Sequence, residues 1–386
     1  MAWWQSFQLK SKDPGARRSA LESLSGEQVT QNRKVVTAAL EDHDSQVAVA
    51  ALGALQKLDP EVAFIVMIQS LSSRHEEVRG AAARELGELG NRRATESLVR
   101  SLQDRSDAVR CAAARALQKL AWNAATEEQQ AVFELALGNT QVAALAGTAG
   151  ISALVSELRN DTTSFRRRAA ADALAAVADQ CALEPLIRAA QDPDSSVRIA
   201  ALHAVASHNH EDAGAALLRG LRDPEQCVRL AAAQALARQS NPAATGDFIH
   251  LLGDPHFEIR QVAVQFIGRM GEPRLAGFII PLLADRDADV RQSAAEALGA
   301  IGNAIAIEPL ILALTDEDRS VRLAAENSLN QLDPRWVDSD AARSARVHLE
   351  ALANERPPWV RSAILQVIAR LAPAESEATS ALRVVS

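Results

Sequence analysis

Residues 192–205 read DPDSSVRIAALHAV, and variants of this stretch recur along the chain. Clear copies begin at four further aspartates: Asp104 (DRSDAVRCAAARAL), Asp223 (DPEQCVRLAAAQAL), Asp285 (DRDADVRQSAAEAL) and Asp316 (DEDRSVRLAAENSL). We take the valine of each Val-Arg pair as the anchor of its copy. Anchors follow one another at 31-residue steps in two runs: Ala16, Val47, Val78 and Val109, then Arg166, Val197, Val228, Ile259, Val290 and Val321. A fixed period of this length is typical of stacked helical repeats.

Each repeat has the pattern of two antiparallel helices. Apolar residues at offsets 0, 3, 4, 7 and 8 from the anchor lie on one face of a helix. The preceding segment carries a second apolar stripe, as in ALEPLIRAAQ at 182–191. Aspartates three residues before the anchor (Asp194, Asp287, Asp318) are predicted to cap the second helix. The pairs Gly302-Asn303 and Asn241-Pro242 are predicted to end it.

A second aspartate stands five residues before most anchors, and an arginine follows most of them. The two are six residues apart, as in Asp192 and Arg198. We expect these residues to form a ladder of charge-assisted hydrogen bonds along the turns, with Arg229 as the partner of Asp223. Because a binding site is normally built once while a brace is repeated, the ladder is interpreted as structural.

The composition supports an all-α chain. Of the 386 residues, 48% are apolar but only 3% are aromatic, and there is no tyrosine. Alanine dominates instead, which favours helices packed at close range. The prediction is an α-α superhelix, a solenoid of the HEAT/armadillo type, with about eleven helix pairs.

The helix pair with its turn Asp, Val-Arg and Ala-Ala-x-x-Ala-Leu core resembles HEAT-like repeats, and is most similar to the short bacterial kind first described in phycobilin lyases. The resemblance covers residues 13–371. It implies a right-handed superhelix whose second helices line the concave surface. Pro185 and Pro309, each twelve residues before an anchor, match the kinked first helix of that family.

Two breaks in the period predict the domain organisation. From Val109 to Arg166 is 57 residues, so 123–160, with Gly147 and Gly150, is predicted to be a degenerate repeat or hinge. It separates N-terminal repeats (13–122) from C-terminal repeats (161–371). The second break lies at 333–358, where Trp336 is expected to cover an apolar end. Residues 1–12, with Trp3 and Trp4, are predicted to form a cap, and 372–386 a flexible tail.

Charge and cysteine usage narrow the class of protein. The net charge is −8 and the pI near 5.6, which disfavours a protein that coats nucleic acid. The three cysteines, Cys111, Cys181 and Cys227, have neither paired nor metal-ligand spacing, as expected of free thiols in a reducing compartment. The sequence shows no apolar signal segment and no membrane span, so we expect a cytoplasmic protein. The oligomeric state stays open.

Histidine pairs are the main candidates for metal chemistry. His75-Glu76 and His210-Glu211 resemble the iron-binding pairs of deoxyhypusine hydroxylases, but here they fall in turns rather than inside second helices. His203, His208, His210, His250 and His256 form a histidine-rich region that could hold a weak metal site. We interpret the His-Glu pairs as solvated turn residues and the histidine-rich region as ordinary exposed histidines on a binding face. No catalytic residues, cofactor or metal are predicted.

Offsets two, six and ten of the second helices are predicted to face a partner. The candidate partner-binding residues are Arg84, Arg115, Lys119, His203, Gln234, Arg238, Gln265 and Arg269. Arginine and glutamine without aromatic neighbours suit a protein or peptide better than a chromophore or an extruded base. The sequence therefore favours a non-enzymatic scaffold or adaptor. A phycobilin-lyase-like or other enzyme-associated role is the alternative, and nucleic-acid binding is a second one.

Overall fold

A computed structural model describes residues 8–161, 163–355 and 358–371. Within these ranges the chain is helical and contains no strand, as the sequence predicts. Trp3 and Trp4 of the predicted cap and the predicted tail at 372–386 lie outside the described residues. The chain divides into two compact units, Met1–Ala204 and Val205–Ser386.

The first unit consists of paired helices with short turns. They are α1 (Pro14–Ser23), α2 (Gly26–Gln31), α3 (Arg33–Ala38), α4 (Ser45–Leu55), α5 (Pro60–Ser70), α6 (Glu76–Leu89), α7 (Thr95–Ser101), α8 (Asp107–Lys119), α9 (Glu127–Leu137), α10 (Thr140–Ala144), α11 (Gly147–Asn160), α12 (Ser164–Val177), α13 (Leu183–Ala189) and α14 (Ser195–Val205), which ends at the unit boundary.

The second unit repeats the arrangement. Its helices are α15 (Glu211–Gly220), α16 (Gln226–Gln239), α17 (Thr245–Leu251), α18 (Phe257–Met270), α19 (Ala276–Ile279), α20 (Ala288–Ile301), α21 (Ile307–Ala313), α22 (Arg319–Leu332), α23 (Asp340–Glu355) and α24 (Pro358–Ile368). The anchors lie in the second helices of the pairs, which are α1, α4, α6, α8, α12, α14, α16, α18, α20 and α22.

The predicted helix signals are confirmed. Asp287 accepts hydrogen bonds from the N–H groups of Asp289 and Val290, and Asp318 accepts one from Ser320, so both cap second helices. Gly302 ends α20 in the left-handed conformation (φ 73°). Several first helices begin with a 3₁₀ turn, such as Gln180–Ala182 before α13. Pro185 is the third residue of α13, where its missing N–H removes no intrahelical bond.

Glycines at offset nine bring neighbouring second helices close together. A Cβ on Gly268 of α18 would lie 2.7 Å from the Cβ and 2.9 Å from the Cα of Ala297 in α20. Gly87 and Gly299 meet Ala116 and Ser328 in the same way. The helix pairs with these glycines pack most extensively. The core is therefore a close-packed layer in which alanine and glycine replace the bulky side chains of most cores.

Residues 123–160 depart from the helix-pair pattern. They fold into α9, the five-residue helix α10 and α11, so the segment has one short helix where a second helix would stand. Gly147 has a positive φ of 62° at the start of α11, and a Cβ on Gly150 would overlap the carbonyl oxygen of Ala143. These glycines are needed for a tight turn and a close approach. Whether the segment acts as a hinge stays a prediction.

The second break lengthens the last described repeat. Trp336 is 2% exposed, and its indole N–H donates to Oδ1 of Asn330 at 3.1 Å. The guanidinium of Arg370 lies over its ring, 5.4 Å from the centroid. The extra residues then extend the first helix of this repeat, α23, to sixteen residues.

Candidate functional site

A ladder of arginines connects successive turns. In several rungs of the described ranges the Nε and Nη2 atoms of the arginine donate to the two carboxylate oxygens of an aspartate 25 residues later, at 2.7–3.3 Å. These rungs are Arg17–Asp42, Arg79–Asp104, Arg167–Asp192, Arg229–Asp254, Arg260–Asp285 and Arg291–Asp316. The Nη1 atom donates to main-chain carbonyls five or six residues earlier, such as Asp254 O for Arg260 at 2.9 Å. One guanidinium thus joins its own turn to the next.

The expected pairing within a turn is wrong. Arg229 donates to the carboxylate of Asp254, and in its own turn it donates to the carbonyl oxygens of Asp223 and Pro224. The physical reason is geometric: the planar fork has two edges, and the aspartate side chain of the same turn binds the N–H two residues ahead, as between Asp223 and Glu225. The ladder itself, predicted to run along the turns, is confirmed.

One rung is replaced by a different contact. Ala48 stands where the arginine belongs and Ser73 where its aspartate belongs, so both members are missing together. Instead, Nη2 of Arg74 donates to the carbonyl oxygens of Glu41 and Asp42 at 2.5 and 2.8 Å. His75 Nε2 also contacts Asp42 O, at 2.6 Å. The carbonyls of this turn are thus satisfied from the following repeat, and His75 has a structural partner.

Another rung skips the degenerate segment and leaves a buried charge cluster. Arg110 pairs with Asp161, 51 residues later. Arg166, in the anchor position, pairs with Asp107 and lies 3.4 Å from Glu157, while its guanidinium also donates to Leu135 O. Burial raises the pKa of Glu157 to about 7, and the nearby arginines only partly oppose this. No motif in the sequence pointed to Glu157.

Three ladder aspartates have lowered pKa values. The hydrogen bonds from Arg17 hold the pKa of Asp42 below its ordinary value, against the opposing effect of burial. Burial raises the pKa of Asp104 and of Asp285, but the bonds from Arg79 or Arg260 and from an N–H two residues ahead outweigh it, so both values are lowered. These three carboxylates are therefore ionised at neutral pH.

The candidate partner-binding residues lie on the exposed side of the second helices. At offset six Gly53 is half-buried, whereas the following residues are exposed: Arg84, Arg115, Asp172, His203, Gln234, Gln265, Glu296, Asn327 and, six residues after Val360, Gln366. In most of these helices they are flanked by buried core residues, such as Ala233 and Ala235 beside Gln234. We call this surface the second-helix face. Arg84, Arg115, Lys119 and His203 lie on it in the first unit, and Gln234, Arg238, Gln265 and Arg269 in the second.

Some residues of this face already have structural partners. Nη2 of Arg269 donates to the carbonyl oxygen of Ala237 at 3.0 Å, which caps the preceding second helix, and Lys119 pairs with Glu88. Lys57, also at offset ten, donates to the carbonyl oxygen of Leu24 at 2.6 Å. Among the described residues Arg84, Arg115 and Arg238 make no hydrogen bond or ion pair, so their charges are available to a ligand.

Histidines and cysteines do not converge on one point. His208 is buried, His203 is exposed, and His210 caps α15 by accepting from the N–H of Asp212. Cys181 and Cys227 are exposed and Cys111 is half-buried, all three as free thiols. In the described ranges there is no group of three or more His, Cys, Asp or Glu side chains placed to hold a metal ion. No helix in the same ranges is long and apolar enough to span a membrane.

Comparison with known proteins gives a family and a fold. A family model described as HEAT repeats matches residues 65–146, 151–237, 214–283, 245–330 and 275–369, more than half of the chain. No curated protein matches. An engineered protein of known structure is similar, with 21% identity and a TM-score of 0.40 over 86% of this chain and 98% of its own.

Two natural proteins of known structure are also similar. YIBA of Escherichia coli has 17% identity and a TM-score of 0.34, covering 84% of this chain and 97% of its own. Kap95p, described as binding RanGDP, has 14% identity and a TM-score of 0.39, covering 96% of this chain and 54% of its own.

Proposed function

Because the chain belongs to the HEAT-repeat family, we propose that it is a non-enzymatic scaffold that binds a protein or peptide along its second-helix face. The resemblance to HEAT-like repeats implies that this face is the concave surface of the superhelix. An extended array suits such a role because each repeat adds surface positions while its core stays constant.

The observation that carries the proposal is the contrast between constant and variable positions in the second helices. Offset four is a buried alanine in most repeats, such as Ala82, Ala113 and Ala232, whereas offset six is exposed and changes from arginine to aspartate, histidine, glutamine, glutamate and asparagine. Packing does not restrict an exposed position, so its chemistry is free to follow a ligand.

The two units offer different chemistry to a partner. In the first unit, Arg84 and Arg115 are cations without partners among the described residues, which suits an acidic segment. In the second unit, Gln234 and Gln265 offer amides that donate and accept, with Arg238 beside them. We expect Lys119 and Arg269 to contribute less to binding, because their charges already serve contacts inside the chain.

Two finer assignments belong to the proposal. The 31-residue period supports a place among the bacterial phycobilin-lyase-type repeats, with a scaffold role rather than their chromophore chemistry, because the offset-six residues include no aromatic side chain. We place the protein in the cytoplasm, where three unpaired thiols would stay reduced.

Affinity capture from the source organism tests the proposal. The wild-type chain is compared with Arg84→Ala/Arg115→Ala and with Gln234→Ala/Arg238→Ala. The control is Arg219→Ala, which removes an exposed arginine from the first helix α15. At least one double variant should lose a protein retained by the wild type and the control, while melting temperatures stay close to the wild-type value.

Two outcomes would contradict the scaffold role. Equal retention by all four proteins would show that the second-helix face does not bind the partner. Capture of nucleic acid, with affinity that falls steeply as salt rises, would favour the nucleic-acid alternative.

A further inference from the structure

The last arginine of the ladder lacks its aspartate. Nη1 of Arg322 donates to the carbonyl oxygens of Asp316 and Glu317 at 2.7 and 2.9 Å, as in the other rungs. The residue 25 positions later is Val347, inside the long helix α23; in this lengthened repeat the position five residues before Val360 is Glu355, whose side chain is outside the described ones. Among the side chains that the structure describes, no carboxylate contacts the Nε/Nη2 edge of Arg322. Among the described side chains, the edge of the guanidinium that binds aspartate in the complete rungs therefore has no carboxylate partner in Arg322.

This guanidinium lines a groove of about 1160 Å³ in the second unit. The turn residues Asp285 and Asp316 line the groove together with Ile364 and Val367 of α24. Leu323, next to Arg322 in the chain, also lines it and is 48% exposed. The groove thus combines a fixed guanidinium with apolar surface.

The charges around the groove select the kind of anion. Asp285, Asp316 and Glu326 are paired with Arg260, Arg291 and Arg370, so these charges are already balanced. Arg286, Arg319 and Arg322 are lining cations without a side-chain acceptor among the described residues, and Arg286 donates to the carbonyl oxygen of Pro255. The planar edge of the Arg322 guanidinium matches the two oxygens of one carboxylate, as in the complete rungs, so a carboxylate is the expected ligand.

The geometry points to a carboxylate-binding groove that takes an aspartate-bearing, partly apolar segment of a partner protein, with Arg322 as the bidentate donor. The precedent is internal, since each complete rung binds an aspartate of the following turn. A second copy stacked head to tail is a poorer fit, because Ser11 occupies the aspartate position of the first turn, before Arg17. The groove adjoins the second-helix face, since Gln366 belongs to both, but none of Arg84, Arg115, Gln234 and Arg238 lines it, so the two proposals can fail separately.

A peptide that copies the missing partner tests the groove. The probe is a fluorescein-labelled peptide with the sequence of residues 192–205, DPDSSVRIAALHAV, whose first aspartate forms a complete rung with Arg167 in the chain. Fluorescence anisotropy measures its Kd for the full chain. Replacing that aspartate by asparagine in the peptide should weaken binding at least tenfold, because a charge-assisted fork is lost.

Variants of the full chain locate the contact. Arg322→Gln should weaken binding at least tenfold, and Arg322→Lys should weaken it almost as much, since a lysine keeps the charge but has no fork. Leu323→Ser, at an exposed position, should weaken it several-fold and tests the groove even if Arg322 variants fold poorly. Arg219→Gln is the matched control, because it removes an exposed arginine outside the groove.

Four results would overturn the inference. The first is that the wild-type chain does not bind the peptide. The second is that the wild-type chain and Arg322→Gln bind the peptide with equal Kd values. The third is that the peptide binds more tightly when phosphoserine replaces its first aspartate. The fourth is concentration-dependent dimerisation in sedimentation that Arg322→Gln abolishes, which would assign the groove to a second copy of the chain.

Discussion

At the scale of single residues, each ladder arginine does two things with one side chain. Its Nη1 atom closes the turn that precedes its own helix, and its Nε/Nη2 edge binds the next turn. Arg79, Arg260 and Arg291 are only 5–7% exposed, so their charges depend on these partners. Removing one member of a buried ion pair leaves the other without compensation, and this makes the ladder sensitive to truncation.

Arg260→Ala should therefore lower the free energy of unfolding by about 3–5 kcal/mol, because the carboxylate of Asp285 loses its charged partner. Arg322→Ala is the matched control, since it removes the same carbonyl contacts but breaks no ion pair among the described residues. Arg322→Ala should lower the free energy of unfolding by about 2 kcal/mol less than Arg260→Ala does, or by an even smaller amount. Urea unfolding followed by circular dichroism measures both. Equal losses would mean that the ion pairs add nothing to the carbonyl contacts.

The sequence could show the ladder but did not by itself say which aspartate each arginine binds. In a 31-residue repeat, the aspartate six residues before an arginine and the one 25 residues after it are the same position in adjacent repeats. The irregular copies of the repeat distinguish the two possible partners of an arginine. Arg17 has Ser11 six residues before it but Asp42 after it, and Ala48 coincides with the loss of an aspartate at Ser73.

At the scale of helices, close packing depends on glycine at offset nine. Gly268→Ala should destabilise the chain by about 1–3 kcal/mol, because the new methyl would meet the backbone and side chain of Ala297. This loss should exceed the gain of about 1 kcal/mol that alanine brings to a helix. Gly53→Ala in α4 is the control, since a Cβ there has nothing within 4 Å, and it should stabilise. Thermal melts of both variants, compared with the wild type, measure these changes. A higher melting temperature for Gly268→Ala would show that the two helices can move apart without a cost in stability.

The helices themselves were predictable because their apolar stripes repeat at a fixed period. Residues 123–160 were recognisable as irregular from the length between anchors, but their fold was not. The short helix α10 and the close approach of Gly150 to Ala143 depend on contacts between helices, which no local pattern encodes. The same is true of Glu157, whose neighbours Arg110 and Arg166 come from two other helices.

At the scale of the whole molecule, the residues that recur in every repeat carry the least information about function. The 31-residue pattern specifies a stack of helix pairs, and a family match over more than half of the chain agrees with it. The residues that could bind a partner are those that vary between repeats, and variation alone carries no ligand identity. Lys119 and Arg269 show why exposure is not sufficient either, because both are exposed and already paired. Function therefore has to be sought in groups without a charged partner among the described residues, such as the exposed Arg84 and Arg115 and the half-buried guanidinium of Arg322.

The stability of the whole chain should depend on pH in two separate ranges. The ladder aspartates Asp42, Asp104 and Asp285 have folded-state pKa values below the ordinary 3.8. The stability they contribute is present above pH 3.8 and is lost as the pH falls through the lowered values. Glu157 acts in the opposite direction, because its pKa rises from 4.5 to about 7 on folding. Between pH 4.5 and 7 the unfolded chain has released the Glu157 proton that the folded chain retains. The contribution of Glu157 to the free energy of unfolding therefore declines as the pH rises.

Glu157→Gln separates the two ranges because a glutamine cannot titrate. Relative to the variant, the wild-type chain should lose up to about 3 kcal/mol of unfolding free energy between pH 4.5 and 7, with no further change above that. Below pH 3.8 both proteins should lose stability together, since the ladder is intact in each. Urea midpoints at half-unit steps from pH 3 to 8 give both curves. Parallel curves from pH 4.5 to 7 would mean that Glu157 is ionised throughout and that Arg110 and Arg166 offset its burial.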